Sequence, residues 1–106
     1  MTRRLLTDFE IMILLAILRV GDDAYGVTIA REIEATAGRT VQLPAVYTAL
    51  DRLETQGLVR SRLGEATPQR GGRAKKHFAL TKPGLESVHD TRAALTALWS
   101  QLPQLS

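Results

Sequence analysis

Apolar residues near the start of the chain recur at helical spacing. Phe9, Met12, Ile13, Ala16, Ile17 and Val20 fall on one side of a 3.6-residue repeat, and Gly21 ends the run. Thr7-Asp-Phe-Glu10 reads as a capping box, in which the Thr7 hydroxyl and the Glu10 carboxylate satisfy amide N–H groups left open at a helix start. The pattern predicts a helix over residues 7–20. Ile11, Leu14, Leu15 and Leu18 make its other side apolar too. A helix apolar all round in a small domain has to be covered on two sides. One cover is the domain's own core; the other suggests a partner subunit.

After Gly21-Asp-Asp, a second helix opens at Tyr25-Gly26 and runs to about residue 37. Val27, Ile29, Ala30 and Ile33 are its apolar positions and Gly38 its C-cap. Val41-Gln42-Leu43 is a short extended link. Pro44 suits the first turn of a third helix, where its missing N–H costs nothing, and Gly57 closes that helix after residue 56. Residues 58–63 and 76–80 alternate as half-buried strands do, with Phe78 and Leu80 on one side. The stretch between them is rich in Gly, Pro and bases and reads as a long hairpin loop. Thr81 is an N-cap candidate, Pro83 sits just inside, and a last helix runs to about residue 101. The order is helix, helix, helix, strand, basic hairpin, strand, helix: a mainly α chain with one small β-hairpin, of α+β class. No internal repeat or linker divides it.

The chain has 106 residues, no cysteine and a net charge of +3. One ordinary domain fits that length, and so small a core gains from oligomerisation. Without cysteine there is no disulfide framework, thiolate metal site or cysteine nucleophile. The longest apolar run, residues 11–18, is too short to cross a bilayer. The start, Met1-Thr-Arg-Arg, resembles a signal peptide, but Asp8 and Glu10 interrupt it and no small-residue cleavage site follows. The expectation is a cytoplasmic protein with no membrane partner. The position of the charge is more informative than its total. Residues 60–82 hold seven bases (Arg60, Arg62, Arg70, Arg73, Lys75, Lys76, Lys82) and one acid, Glu65, for +6; the other seven bases and ten acids give −3. A basic segment on an acidic body suggests a polyanionic partner.

A helix after a short turn, followed by a two-stranded hairpin, is the arrangement of a winged helix-turn-helix. On the third helix Leu43, Val46, Leu50, Leu53 and Gly57 share one arc and should pack inward. Opposite lie Pro44, Thr48, Asp51, Arg52 and Thr55, flanked by Ala45 and Gln56. Ala45, Thr48 and Arg52 are small or hydrogen-bonding and suit a major groove, where Arg52 can reach a guanine edge or a phosphate. Periodicity alone places Tyr47 nearer the core. In the hairpin loop, Arg70, Arg73, Lys75 and Lys76 surround Gly71 and Gly72. The glycines permit close backbone approach and the cations neutralise phosphates. A nucleotide-binding loop would need glycines followed by Lys-Ser/Thr, which is absent. On the last helix Leu85, Val88, Arg92, Leu95, Trp99 and Leu102 are spaced by 3, 4, 3, 4 and 3 residues, a heptad seam. That helix outruns one small core and points to dimerisation, against the doubly apolar first helix. Arg92 interrupts the seam; its stem can lie along apolar surface, or its charge can pair with Asp90 or Glu86 of a second copy.

Three runs taken together resemble the PadR family of bacterial transcriptional regulators. They are Ala24-Tyr25-Gly26-Val-Thr-Ile29-Ala30, then Pro44-Ala-Val-Tyr47-Thr-Ala-Leu50-Asp-Arg52-Leu53-Glu54-Thr-Gln-Gly57-Leu58-Val59, then Gly71-Gly72-Arg73 with Phe78-Ala-Leu80-Thr81-Lys-Pro-Gly84. The resemblance covers about residues 11–84, and the single long last helix resembles the short subfamily, which dimerises through it. What the resemblance implies is a homodimeric winged-helix repressor of a pseudo-palindromic, double-stranded DNA operator. Residues 1–82 would form the DNA-binding unit and 83–106 the dimerisation helix, with no cofactor. The family's DNA-facing positions fall on Gln42, Ala45, Tyr47, Thr48 and Arg52 and, in the wing, on Arg70, Gly71, Gly72, Arg73, Lys75 and Lys76. In some members a tryptophan on the last helix lines a pore at the dimer interface and stacks planar aromatic effectors. Trp99 lies on the seam, as a buried dimer anchor or as such a ligand contact. Two departures stand out. Lys76-His77-Phe78 replaces a basic-aromatic-aromatic run, and residues 64–69 lengthen the approach to the wing.

The two histidines, His77 and His89, have no ligand cluster at metal-site spacing and read as structural or surface residues. Ser61, Ser87, Ser100 and Ser106 sit in no nucleophile-elbow sequence. No catalytic or metal-binding residue is expected, and hence no enzyme. The alternative to a DNA-binding repressor is a winged protein-interaction module whose basic surface takes an acidic protein. Sequence-selective duplex binding separates the two.

Overall fold

The computed structural model describes residues 5–64 and 75–105. The capping box forms: the Glu10 N–H donates to the Thr7 hydroxyl (3.2 Å) and the Thr7 N–H to the Glu10 carboxylate (2.8 Å). Helix α1 (Asp8–Val20) starts there. Gly21, at φ 77°, ends it, and the turn expected at Gly21-Asp-Asp forms as one of 3-10 type (Gly21–Asp23) that leads into α2 (Gly26–Ala37). Helix α3 (Leu43–Thr55), strand β1 (Val59–Leu63), strand β2 (Lys76–Leu80) and helix α4 (Lys82–Trp99) follow, with a final 3-10 turn (Pro103–Leu105).

Ile13 and Leu14 of α1, Ile29 of α2, Val46, Leu50 and Leu53 of α3 and Val59 of β1 are fully buried in one cluster. Each such side chain contributes about 1.5–3 kcal/mol relative to exposure. Two sequence expectations change here. Leu14 belongs to this core, so the second apolar side of α1 narrows to Leu15, Leu18 and half-buried Ile11. Gly57 is exposed instead of inward, because α3 has ended at Thr55 and Gly57, at φ 77°, turns the chain into β1.

The strands pair antiparallel, with Val59 opposite Leu80, Ser61 opposite Phe78 and Arg62 opposite His77. Strand alternation puts Ser61 and Phe78 on one face and Arg62 and His77 on the other. The Phe78 N–H donates to the Ala24 carbonyl (2.8 Å), which ties the hairpin to the segment before α2.

Thr81 caps α4 by accepting from the Gly84 N–H (3.1 Å), and its own hydroxyl donates to the Gly57 carbonyl (2.6 Å). Gly84, Val88 and Thr91 face the body, and the Leu6 N–H donates to the Thr91 hydroxyl (3.1 Å). Beyond Thr91 the helix leaves the body. The heptad seam therefore divides: Val88 packs in the protomer's own core, while Leu85, Arg92, Leu95, Trp99 and Leu102 are exposed. Among the described residues no helix is long and apolar enough to cross a membrane.

Candidate nucleic-acid interface

Because the buried arc of α3 is Val46, Ala49, Leu50 and Leu53, the opposite arc faces solvent. Pro44, Ala45, Thr48, Asp51, Arg52 and Thr55 are all exposed, and Gln42, the N-cap residue of α3, is exposed beside them. Arg52 makes no ion pair among the described residues. Its guanidinium is thus available to a ligand from outside.

Tyr47 corrects its periodicity. It is 43% exposed, not core, because its ring lies over the first turn of α2. A Cβ on Gly26 would stand 2.5 Å from Tyr47 Cζ and 2.6 Å from its hydroxyl. Gly26 is therefore the space that the aromatic ring occupies, which joins the two sequence runs Tyr25-Gly26 and Tyr47 physically.

The hairpin is held on both faces. On one, the Ser61 hydroxyl donates to Glu54 of α3 (2.5 Å) and the Lys76 ammonium pairs with the other Glu54 oxygen (3.2 Å). On the other, Arg62 donates to the Asp22 carbonyl (3.2 Å), and His77 lies 3.6 Å from Asp23. Lys75 lies over the Tyr25 ring, its Nζ 4.4 Å from the centroid, and donates to the Tyr25 hydroxyl (3.2 Å). Of the wing cations read from the sequence, Lys76 is thus already paired and Lys75 is seated on an aromatic ring. Arg70, Gly71, Gly72 and Arg73 lie outside the described residues.

Sequence reading missed Glu54, Asp23 and Tyr25 as parts of this junction, since each meets its hairpin partner only after folding. The replacement of an aromatic by His77 was the one signal. Among the described residues no group of three or more acidic or histidine side chains could hold a metal ion.

Glu54 carries a pH prediction. The Ser61 hydroxyl first, and Lys76 second, hold its carboxyl below the ordinary value of 4.5. A carboxyl depressed in the folded state adds stability that is present above its unfolded value and lost as pH falls through the folded one. Thermal melts below about pH 4.5 are therefore expected to drop less steeply in Glu54→Gln than in the parent protein. Parallel acid limbs would remove this account.

Helices α2 and α3 followed by a two-stranded antiparallel hairpin define a winged helix-turn-helix, a class built to set one helix into DNA. The model of the transcriptional regulator PadR-like family matches residues 14–90, and the chain belongs to that family. It is a DNA-binding transcriptional regulator and not an enzyme. A PadR-like transcription factor from Bacteroides fragilis superposes with a TM-score of 0.73 at 22% identity, over 92% of this chain and 89% of that one, a likeness of fold. RosR of H. salinarum gives 0.69 at 28% identity, over 98% of this chain and 86% of that one. Bacillus subtilis PadR, solved in complex with operator DNA, gives 0.65 at 26% identity, over 79% of this chain and 47% of the longer relative. A search of curated proteins by sequence gave no significant match.

Proposed function

We propose that the protein is a homodimeric repressor that binds a pseudo-palindromic operator, reading it with α3 and contacting its backbone with the wing. The observation that carries this reading is the outward face of α3, where Ala45, Thr48 and Arg52 are exposed beside a hairpin bearing Arg60, Arg62, Lys75 and Lys76. The operator complex of the B. subtilis relative supports it. Dimerisation is supported by the end of α4, where Leu95, Leu98 and Trp99 are 50%, 75% and 63% exposed in a lone protomer. A planar aromatic effector stacking on Trp99 belongs to the same reading, with saturable quenching of Trp99 fluorescence as its mark. The place of action is the cytoplasm, with the DNA.

The test is a gel shift with the DNA upstream of the protein's own gene, competed by unrelated duplex. Selective binding is expected, with affinity falling steeply as salt rises because phosphate contacts release counterions. Thr48→Ala and Arg52→Ala are expected to relax base preference, Arg52→Ala by about 1–3 kcal/mol if its contact is bidentate. No duplex binding even at low salt would overturn the reading in favour of a protein-interaction module.

A further inference from the structure

We propose that Gly26 is a positioning residue for duplex binding: by carrying no Cβ it seats the Tyr47 ring on the first turn of α2 and so aims the Tyr47 hydroxyl at a backbone phosphate. The consequence for affinity rests on the DNA-binding reading given above.

Space, not backbone freedom, is what glycine supplies at this position. Gly21, Gly38 and Gly57 adopt positive φ, but Gly26 does not. It is buried in the first turn of α2, in a helical conformation that alanine adopts readily. The three heavy atoms nearest to a Cβ there are Cζ, Cε1 and the hydroxyl oxygen of Tyr47, at 2.5, 2.6 and 2.6 Å. All three belong to the far end of one flexible side chain. Carbon atoms pack no closer than about 3.5 Å, so the ring would have to retreat by about 1 Å. Tyr47 is 43% exposed, so its ring can swing toward solvent without disturbing the core. An alanine at residue 26 therefore moves the ring and leaves the fold intact.

The group that moves is a free donor. The Tyr47 hydroxyl makes no hydrogen bond among the described residues, and its neighbour on α3 is the exposed Thr48. The residue before Gly26, Tyr25, holds the Lys75 ammonium on its ring (4.4 Å) and at its hydroxyl (3.2 Å). A neutral O–H and a cation are thus seated on consecutive residues, and phosphate oxygens take both kinds of donor. An O–H···O bond holds over about 2.5–3.0 Å, so a shift of about 1 Å breaks it. A phenol is neutral and releases no counterion, and a phosphate contact reads no base. Its loss should weaken binding to every duplex alike and leave the salt dependence unchanged.

The test is anisotropy with labelled duplexes of the upstream DNA and of unrelated sequence, over a range of salt. It compares the parent protein with Gly26→Ala, Tyr47→Phe and the double variant. Each single variant is expected to bind about tenfold or more weakly, as loss of a hydrogen bond to a charged acceptor gives. The losses should not add, so the double variant should bind no more weakly than Tyr47→Phe. Selectivity for the upstream DNA and the salt slope should match the parent's. Gly26→Ala should melt within about 3 °C of the parent. In the DNA-free parent, a nuclear Overhauser contact should join the Gly26 α-protons to the Tyr47 ring. Parent-like binding by Gly26→Ala overturns the proposal. So does a loss that persists on top of Tyr47→Phe, since the Cβ itself would then obstruct the duplex. A Gly26→Ala protein that melts far lower or does not fold also overturns it, because the ring is expected to yield. Should the parent bind no duplex while the contact of Gly26 with Tyr47 is present, the repressor reading fails and the proposal falls with it. Absence of that contact in the parent sinks the proposal alone.

Discussion

Gly84→Ala is expected to lower stability by about 3 kcal/mol or more, or roughly 10–20 °C in melting temperature. Alanine is the better helix former by about 1 kcal/mol, so propensity alone predicts the opposite sign. The clash decides. A Cβ at residue 84 would stand 2.0 Å from the Leu58 carbonyl oxygen and 3.0 Å from its carbon, both backbone atoms that no rotamer change can move. Leu58 cannot retreat cheaply, because its carbonyl accepts from the Thr81 N–H (3.1 Å) and its N–H donates to the Leu53 carbonyl (2.9 Å). Shifting it would disturb the end of α3, the start of β1 and the cap of α4 together. Circular-dichroism melts check this, with Lys82→Ala, on the exposed side of the same turn, expected within about 0.5 kcal/mol of the parent. A Gly84→Ala melt as high as the parent's would mean that the junction is not as tight as described.

Replacing Leu95 and Trp99 together by glutamate is expected to give a folded monomer that binds the operator more weakly by on the order of 10²-fold or more. The protomer should survive, since both side chains lie on the part of α4 that has left the body. In a dimer each would be buried twice, once per copy, and an isologous interface doubles the cost of a charge placed there. Loss of the dimer also unlinks the two half-sites, so each winged domain binds alone. Sedimentation velocity reads the first effect and duplex titration the second. A double variant that still sediments as a dimer would remove α4 as the dimer contact.

Much of the fold was legible in the sequence. The Thr7 and Thr81 caps, Pro44 at the start of α3 and Gly38 in the left-handed conformation after α2 all stand where local chemistry places them. The free face of α3 was legible too, because Val46, Leu50 and Leu53 mark its opposite. Tyr47 was not: its angle on α3 is intermediate, and what decides its exposure is the first turn of α2, where Gly26 leaves room for the ring. Charge composition offers Lys76 as a phosphate contact, because it cannot show that Glu54 of α3 pairs with it once the hairpin packs. The seam of α4 was visible as a repeat, yet its division after Thr91 depends on where the body stops.

By itself, then, the sequence determined the elements, their boundaries to within a residue or two, the solvent-facing side of α3 and the basic character of the hairpin. These follow from hydrogen bonds and apolar periods that act within a turn or two of the chain. Only the tertiary structure decided which cations are paired, which half of α4 is left bare, why residue 84 must be glycine and that His77 comes to lie beside Asp23. The partners in those cases, Glu54 and Lys76, Leu58 and Gly84, Asp23 and His77, lie more than twenty residues apart in the chain. Their contacts exist only once the helices have packed and the hairpin has closed against them.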